Sequence, residues 1–298
     1  MTALPPLRKP AAERRADTGV LKSPLRRTGR VRTGAALALA VVGLAIIGPA
    51  LAPHAPGAFV GVPNSGPIDG APFGTDALGR DVLSRFLSGG RTILLVATLA
   101  TLLGVAAGAL LGLLCAVAPR RIDEPLMRAN DGLLAIPQLV LVLLGVSALG
   151  PQLWLITVLV ALANAPRVAR VIRGAALEVA ARDFVLAAEA AGESRRRIAT
   201  HELLPNVSGQ LLVEVGLRLT VSIALVASLG FLGLGLQPPA ADWGLMINEN
   251  RLALAVQPWG VLLPVIAIGA LTVGVNLAAD GYAQARLGRD GATAPSDA

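Results

Sequence analysis

Long apolar runs alternate with short polar stretches along this chain. A membrane-spanning helix needs about 20 mostly apolar residues, and six runs reach or approach that length. They cover residues 34–51, 93–117, 133–149, 153–172, 207–236 and 259–279. The pattern predicts an all-α membrane protein with about six transmembrane helices.

Two stretches before the second run have a different character. Residues 52–72 are rich in proline and glycine, which predicts a loop. In residues 73–91 the apolar side chains of Val82, Leu83 and Phe86 recur at helical spacing. We therefore expect a short amphipathic helix here that lies on the membrane surface.

The second run also contains a regular pattern of small residues. Gly104, Gly108 and Gly112 follow one another at intervals of four. A small residue at every fourth position lets a second helix approach closely within a bilayer. We interpret this stripe as a helix-packing face.

Basic residues cluster in the loops that follow the second, fourth and sixth runs. Short cytoplasmic loops of membrane proteins carry an excess of Lys and Arg, so we expect both termini in the cytoplasm. Arg80, Arg85 and Arg91 lie on the opposite side and do not follow this bias. Pairing with Asp76 and Asp81 would reduce their effect.

The runs and loops divide the chain into four parts. Residues 1–33 are predicted to be a disordered, basic cytoplasmic tail. Residues 34–92 hold the first transmembrane helix, the outer loop and the surface helix. Residues 93–281 form the transmembrane core, within which residues 178–206 are a polar loop. Residues 282–298 are a second cytoplasmic tail.

The composition agrees with a bilayer environment. Of the 298 residues 54% are hydrophobic and only 15% are charged, against about 25% in soluble domains. A soluble protein this apolar would expose large sticky patches. The net charge of +7 does not indicate nucleic-acid binding, because the arginines lie between apolar runs, where they orient a membrane protein. The single cysteine, Cys115, is interpreted as a small packing residue.

The polar loop predicts two short helices separated by a turn. Asp183 is a candidate N-cap for the first helix, and Gly192 is a candidate for the left-handed residue that ends it. Ser194 can cap a second helix, which we expect to end at Leu204 because Pro205 follows. A loop of this length between two membrane helices is unusual, and it indicates a docking element.

One face of the first short helix carries mainly alanine. Ala187, Ala188 and Ala191 lie on the same side, and small side chains there let a partner approach closely. The arginine run Arg195–Arg197 follows the turn. A solvated loop is the alternative interpretation, but length and patterning favour a docking surface.

This loop resembles the EAA loop of permease subunits of ATP-binding-cassette (ABC) importers. The family pattern is Glu-Ala-Ala, three residues, Gly, nine residues, Ile, any residue and Leu-Pro. Ala187, Ala188, Gly192, Leu204 and Pro205 occupy matching positions.

Two positions depart from that pattern. Leu186 stands where the family often has Glu, and Glu202 stands where it often has an aliphatic residue. We therefore expect attachment to an ATPase through packing of small residues, with Arg195–Arg197 as electrostatic support, rather than through an acidic anchor at position 186.

Two other stretches narrow the resemblance to the C-type (DppC/OppC-like) subunit of the dipeptide/oligopeptide/nickel permease family. They are residues 73–85, FGTDALGRDVLSR, and residues 231–239, FLGLGLQPP, with Trp243-Gly244 shortly after. The resemblance covers roughly residues 34–290. The matching positions on the outer side are Gly74, Thr75, Asp76, Gly79, Arg80 and Asp81.

The resemblance implies a multi-pass permease of the bacterial inner membrane. It implies alternating access driven by ATP, and partners that are a homologous second permease, two cytosolic ABC ATPases, an extracytoplasmic substrate-binding protein and membrane lipid. The coupling loop between the fourth and fifth spans would bind an ATPase. Its docking residues would be Ala187, Ala188, Ala191, Gly192, Arg195, Arg196, Arg197, Leu204, Pro205 and Asn206.

The chain itself is not expected to be an enzyme or to bind a cofactor. No phosphate-binding G-x-x-x-x-G-K-[ST] motif is present in the sequence, so ATP and Mg²⁺ would be used by the partner subunits. No metal-ligand spacing of Cys and His occurs either. Peptides are the expected substrate, with nickel or another small solute as an open alternative.

Polar residues inside the spans offer a second set of candidates, because charged groups are costly there. Glu214 and Arg218 are four residues apart and can pair on one helix face. We favour a position for them on an extension of the fifth helix below the bilayer, because residues 207–236 are longer than the bilayer core requires. Asn164 and Asn276 could line a pathway or bond between helices, and packing is favoured.

Two other classes of protein were considered. A membrane-embedded enzyme would need a nucleophile and base, or paired carboxylates, at matching depth, and Ser222 and Ser228 have no histidine at comparable depth. A self-sufficient carrier built from inverted repeats would show broken helices in corresponding halves, and these are not evident.

Overall fold

The computed structural model of the chain describes residues 24–290. The parts of the two predicted tails at residues 1–23 and 291–298 lie outside the described residues. Across the part described the chain is helical and contains no β-strand, only three isolated β-bridges. The α-helices are α1 (Pro24–Leu51), α2 (Val82–Val117), α3 (Arg120–Leu134), α4 (Gln138–Leu149), α5 (Leu153–Ala180), α6 (Asp183–Ala190), α7 (Arg195–Arg197), α8 (Leu204–Phe231), α9 (Trp243–Asn250) and α10 (Trp259–Asp290).

Five helical segments within residues 24–290 are long and apolar enough to cross a membrane, and a bent pair of helices gives up to six. This confirms the predicted all-α membrane fold. The five segments are Val31–Leu51, Val82–Val117, Leu153–Ala180, Arg195–Phe231 and Trp259–Ala283.

The predicted third span over residues 133–149 is not one helix. Its first residues belong to α3, which ends at Leu134, and α4 begins at Gln138 after a bend of 82°. Pro137 lies in the break, and a proline disfavours the helical conformation of the residue before it. The 12 residues of α4 extend only about 18 Å, which is less than the roughly 30 Å of a bilayer core.

The prediction of a separate surface helix over residues 73–91 is wrong. Asp81 caps α2 by accepting hydrogen bonds from the backbone N–H groups of Leu83 at 3.1 Å and Ser84 at 3.0 Å. From Val82 the helix continues without a break into the second span. Its 36 residues measure about 54 Å, so its first turns extend beyond the bilayer core, where Phe86 packs against the protein.

The glycine stripe of α2 packs against α5, as predicted. A Cβ atom added at Gly108 would lie 2.5 Å from the carbonyl oxygen of Ala165 and 2.6 Å from Cβ of Val168. The neighbouring glycines of the stripe meet the same helix, Gly104 at Ala161 and Gly112 at Ala169. The two helices therefore approach at backbone distance along the middle of the bundle.

The outer helices α1 and α10 pack against each other and extend past the predicted spans. A Cβ atom added at Gly34 of α1 would meet Ala278 of α10 at 2.7 Å. Residues 24–33, which the sequence assigned to the N-terminal tail, form the first turns of α1. Helix α10 continues to Asp290, into the segment assigned to the C-terminal tail.

The bundle has two ends of different construction. The α6 end contains α6 and α7, which connect α5 to α8. The α9 end contains the loop of residues 52–81 and α9, which lies between the ends of α8 and α10. Helix α8 runs from one end to the other.

Candidate functional site

The connection between α5 and α8 forms the helix–turn–helix unit that the sequence predicts. Helix α6 ends at Ala190, and Gly192 has a φ of +83°. The N–H of Gly192 donates to the carbonyl of Glu189 at 2.9 Å, and the N–H of Glu193 donates to that of Ala188 at 3.1 Å. This pair of bonds is the Schellman pattern, in which glycine takes the left-handed position.

Two predicted details of this unit are corrected. The N-cap of α6 is Arg182, which makes no side-chain cap bond, and Asp183 lies in the first turn instead. Pro205 does not end the second helix. It lies in the first turn of α8, directly after six residues of π-helix from Ile198 to Leu203. The first turn tolerates a missing N–H, and the wide π-turn accommodates the change in bonding.

Buried side chains fix the unit to the bundle. Val185 of α6 is completely buried, as is Leu203, and Ile198 is 3% exposed. All three pack in one apolar cluster with the α6-end halves of α2 and α5. The unit is therefore packed directly against the membrane helices.

The opposite face of the unit is open to solvent, and we call it the coupling surface. Ala187, Ala191 and Gly192 are exposed, and Ala188 is half-buried. Leu186 is 49% exposed, so the residue that departs from the family pattern is also on the surface. The remaining members are all exposed: Arg195, Arg196, Arg197, Leu204, Pro205 and Asn206.

Most charge on the coupling surface is positive. Ser194 caps the arginine run by accepting a hydrogen bond from the N–H of Arg197 at 3.4 Å, and Arg197 also pairs with Glu193 at 3.4 Å. Arg195 and Arg196 form no ion pair within the described residues. The surface thus combines small side chains, an exposed leucine and free cations.

A second site lies at the α9 end and is made of buried ion pairs. Asp76 pairs with Arg80 at 2.7 Å, and Glu249 pairs with both Arg80 at 2.8 Å and Arg85 at 2.7 Å. Arg85 is completely buried and also lies 3.5 Å from Asp76. We call these four residues the α9 clamp, because they join the start of α2 to α9.

The prediction that aspartates pair with the outer arginines is therefore correct for Asp76 and wrong for Asp81. Asp81 caps α2 and lies 3.6 Å from His54 rather than pairing with an arginine. Sequence reasoning missed Glu249, the partner of Arg80 and Arg85, because it follows Arg85 by 164 positions and no local pattern marks it.

The other residues of the predicted outer motif shape the loop that carries the clamp. Gly74 and Gly79 have positive φ values of +75° and +73°. The hydroxyl of Thr75 donates to the carbonyl of Val62 at 2.6 Å and accepts from the N–H of Ser65 at 2.9 Å. The motif therefore folds the loop back on itself.

Trp243, which follows the second motif, contacts α2 just after the first motif. Trp243 is completely buried, stacks on Phe86 and donates its indole N–H to the carbonyl of that residue at 2.8 Å. Asp242 caps α9 by accepting from the N–H of Leu245 at 3.1 Å. Burial raises the pKa of Asp242 to about 6, and the backbone N–H groups of Leu245 and Gly244 oppose that rise.

The candidate polar residues of the spans bond between or along helices. Glu214 pairs with Arg218 at 3.1 Å, as predicted, and is 3% exposed. Asn164 is completely buried and donates to Ser222 of α8 at 2.9 Å. The hydroxyl of Thr220 donates to Asn276 of α10 at 3.4 Å. These contacts favour helix packing over a pathway lining.

The hydroxyl of Ser222 also meets Thr101 of α2 at 2.8 Å. Three helices are thus joined by one buried chain of hydrogen bonds.

Among the residues from 24 to 290, no three His, Cys, Asp or Glu side chains are grouped so that they could hold a metal ion.

Comparison with known proteins identifies several relatives. Residues 108–286 match the family described as binding-protein-dependent transport system inner membrane component. The dipeptide transport system permease protein DppC of Alkalihalophilus pseudofirmus is 35% identical over 72% of this chain and 70% of its own. The di/tripeptide permease DppC of Pseudomonas aeruginosa is 37% identical over 71% and 70%.

Another relative is the probable D,D-dipeptide permease DdpC of Escherichia coli, 38% identical over 70% of each chain. Among solved structures, a chain of the MetNI methionine ABC transporter in an inward-facing crystal form has a TM-score of 0.57. It covers 67% of this chain and 95% of its own, at 18% identity. That likeness establishes a shared fold.

Proposed function

Because this chain belongs to the family of binding-protein-dependent transport system inner membrane components, and is thus a permease component of an ABC importer in the bacterial inner membrane, we propose that it imports peptides. ATPase subunits docked on its coupling surface would drive the transport. The chain contributes the membrane path, while ATP and Mg²⁺ are bound by the partner subunits.

One observation most directly supports docking of an ATPase. The coupling surface is exposed, while the opposite face of the same helix–turn–helix unit is buried. Ala187, Ala191 and Gly192 face solvent, and Val185 and Leu203 anchor the unit in the bundle. An element built only to connect α5 to α8 would not need an exposed patch of small residues and cations. A partner helix or groove can approach the alanines closely and offer carboxylates to the arginine run.

The continuous helical segment Arg195–Phe231 offers a route by which a movement of the docked ATPase would reach the opposite end of the bundle. It begins within the coupling surface and ends next to α9. Its 37 residues extend about 55 Å, which is more than the thickness of the bilayer core. A displacement at the ATPase would therefore reach the α9 end through one continuous helical segment, as alternating access requires.

Two observations support peptides as the substrate and a substrate-binding protein as a partner. Several relatives are named for dipeptide or di/tripeptide transport, and family membership implies a substrate-binding protein. The second permease would be a homologous chain that completes the path. Nickel or another small solute is the alternative, and competition for uptake by unlabelled dipeptide or by Ni²⁺ distinguishes the two.

The docking is tested by Gly192→Asp. The new carboxylate would add bulk and negative charge to the small-residue patch, at the exposed turn where Gly192 has a φ of +83°. We expect normal insertion, loss of ATPase on gentle co-purification, and a fall in substrate uptake of at least about tenfold, within the range of typical coupling energies.

Gly132→Asp is the matched control. It adds the same charge at an exposed position of α3 with no neighbour within 4 Å, so uptake and ATPase recovery should be unchanged. Normal uptake by Gly192→Asp would contradict the docking surface alone. Failure of the wild-type chain to co-purify with either an ATPase or a second permease would contradict the importer complex itself.

A further inference from the structure

An open groove runs between α1 and α2 near the α9 end of the bundle. Its volume is about 380 Å³. The walls are apolar except at one end, where Arg91 is located. The other lining residues are Val42, Ile46, Leu94, Leu95, Thr98 and Leu99.

The groove opens toward the outside of the chain rather than toward the bundle interior. Leu95 is 63% exposed, Ile46 is 56% exposed and Leu99 is 52% exposed. Both walls belong to membrane-spanning segments. The apolar run of α2 begins at residue 93, two positions after Arg91, so the guanidinium lies at the edge of the hydrocarbon and the groove extends from it toward the bilayer centre.

Arg91 differs from the other arginines near the start of α2. Arg80 and Arg85 are neutralised by Asp76 and Glu249. Arg91 donates to the backbone carbonyl of Ile46, and no carboxylate of the described residues lies within 4.0 Å of it. A guanidinium has five N–H donors, so its charge and most of its donors remain available.

We propose that this groove binds one phospholipid with an anionic headgroup. The phosphate receives hydrogen bonds from Arg91, and an acyl chain lies in the groove along Leu94, Leu95 and Leu99. A guanidinium suits a phosphate oxygen pair in both charge and geometry, and basic residues at the membrane surface favour anionic lipid.

The charge in the groove favours a lipid over a second apolar helix. Arg91 is the one charged residue of the lining, and a cation at the edge of the hydrocarbon is costly without an anionic partner. A flexible, extended hydrocarbon chain follows the apolar walls, and its phosphate then reaches the arginine at the groove's end.

The test uses the full chain purified with its partner subunits and supplied with phosphatidylglycerol or phosphatidylcholine, with bound lipid counted by native mass spectrometry. We expect wild type to retain phosphatidylglycerol in preference to phosphatidylcholine. Arg91→Gln should lower retention at least about fivefold, the value of one basic residue at the membrane surface, and Arg91→Lys should restore most of it.

Two further variants distinguish lipid binding in the groove from general effects of the substitutions on the protein. Thr98→Trp fills the groove while keeping Arg91, and it should lower retention as Arg91→Gln does. Arg251→Gln removes another exposed arginine outside the groove and should change nothing. Equal retention by wild type and Arg91→Gln, or of the two lipids, would overturn the proposal. Disulfide cross-linking of Leu99→Cys to a partner subunit would do the same, because it would identify a protein as the occupant.

Discussion

Arg85 presents the most demanding electrostatic problem in this molecule at the scale of one residue. It is completely buried, and its charge is balanced by Glu249 at 2.7 Å and by Asp76 at 3.5 Å. Removing one partner of a buried ion pair costs far more than removing an exposed pair, because the remaining charge is left without compensation. The α9 clamp therefore holds α9 in place only while all its charges are present.

The substitution Glu249→Gln tests whether the α9 clamp depends on all of its charges. Loss of the carboxylate leaves Arg80 and Arg85 with Asp76 alone, so we expect the free energy of unfolding to fall by about 3 kcal/mol. Chemical denaturation in mixed micelles measures it. Glu124→Gln is the control, since it breaks an ion pair with Arg120 in which both side chains are exposed, and little change is expected. Equal stability of the two variants would contradict the role of the clamp.

At the scale of elements, the contact between α2 and α5 depends on the absence of side chains. At Gly108 the backbone of α5 occupies the space that a Cβ would need. Protein interiors are close-packed, and a backbone carbonyl cannot rotate away as a flexible side chain can. The approach of the two helices is thus fixed by glycine rather than by interlocking large residues.

Gly108→Ala should push α2 and α5 apart. We expect a loss of about 2 kcal/mol in the free energy of unfolding, typical of overpacking. Gly174→Ala, in α5 but with no neighbour within 4 Å, should leave stability nearly unchanged. Unfolding curves of both variants under one set of conditions provide the comparison, and an unaffected Gly108→Ala would argue against the tight interface.

At the scale of the whole molecule, the two ends of the bundle differ in structure. The coupling surface lies at one end, the α9 clamp at the other, and α8 connects them. From the positive-inside bias we expect the coupling surface in the cytoplasm and the clamp outside. Without that orientation, cytosolic ATPases could not reach the arginine run.

Side-specific labelling checks the orientation. Ala181→Cys is exposed at the α6 end, and Val256→Cys lies at the α9 end, where the valine is 76% exposed. A membrane-impermeant maleimide should label the first only in inverted vesicles and the second only in spheroplasts. The native Cys115 is 1% exposed and gives little background. The reverse labelling pattern would contradict the proposed topology.

Local features were predictable from the sequence. The membrane spans follow from apolar runs, because a bilayer demands them of each helix independently. The turn at Gly192 follows from the left-handed conformation that glycine adopts easily. The stripe of Gly104, Gly108 and Gly112 follows from spacing along one helix. In each case the cause lies within a few neighbouring residues.

Other features depended on the fold as a whole. The sequence could not show that Phe86 packs on Trp243, so residues 73–91 were expected at the membrane surface. Nor could it show that Pro205 begins a helix here rather than ending one.

By itself, then, the sequence determined an all-helical membrane protein, its approximate spans and the existence of a polar loop between the fourth and fifth spans. Only the tertiary structure decided which face of that loop is exposed, that α2 begins at Val82, and that Glu249 neutralises Arg80 and Arg85. The physical reason is the separation along the chain over which each interaction acts. Hydrophobic periodicity and turn preference act between neighbours in the chain, whereas burial and ion pairing act between residues that only folding brings together.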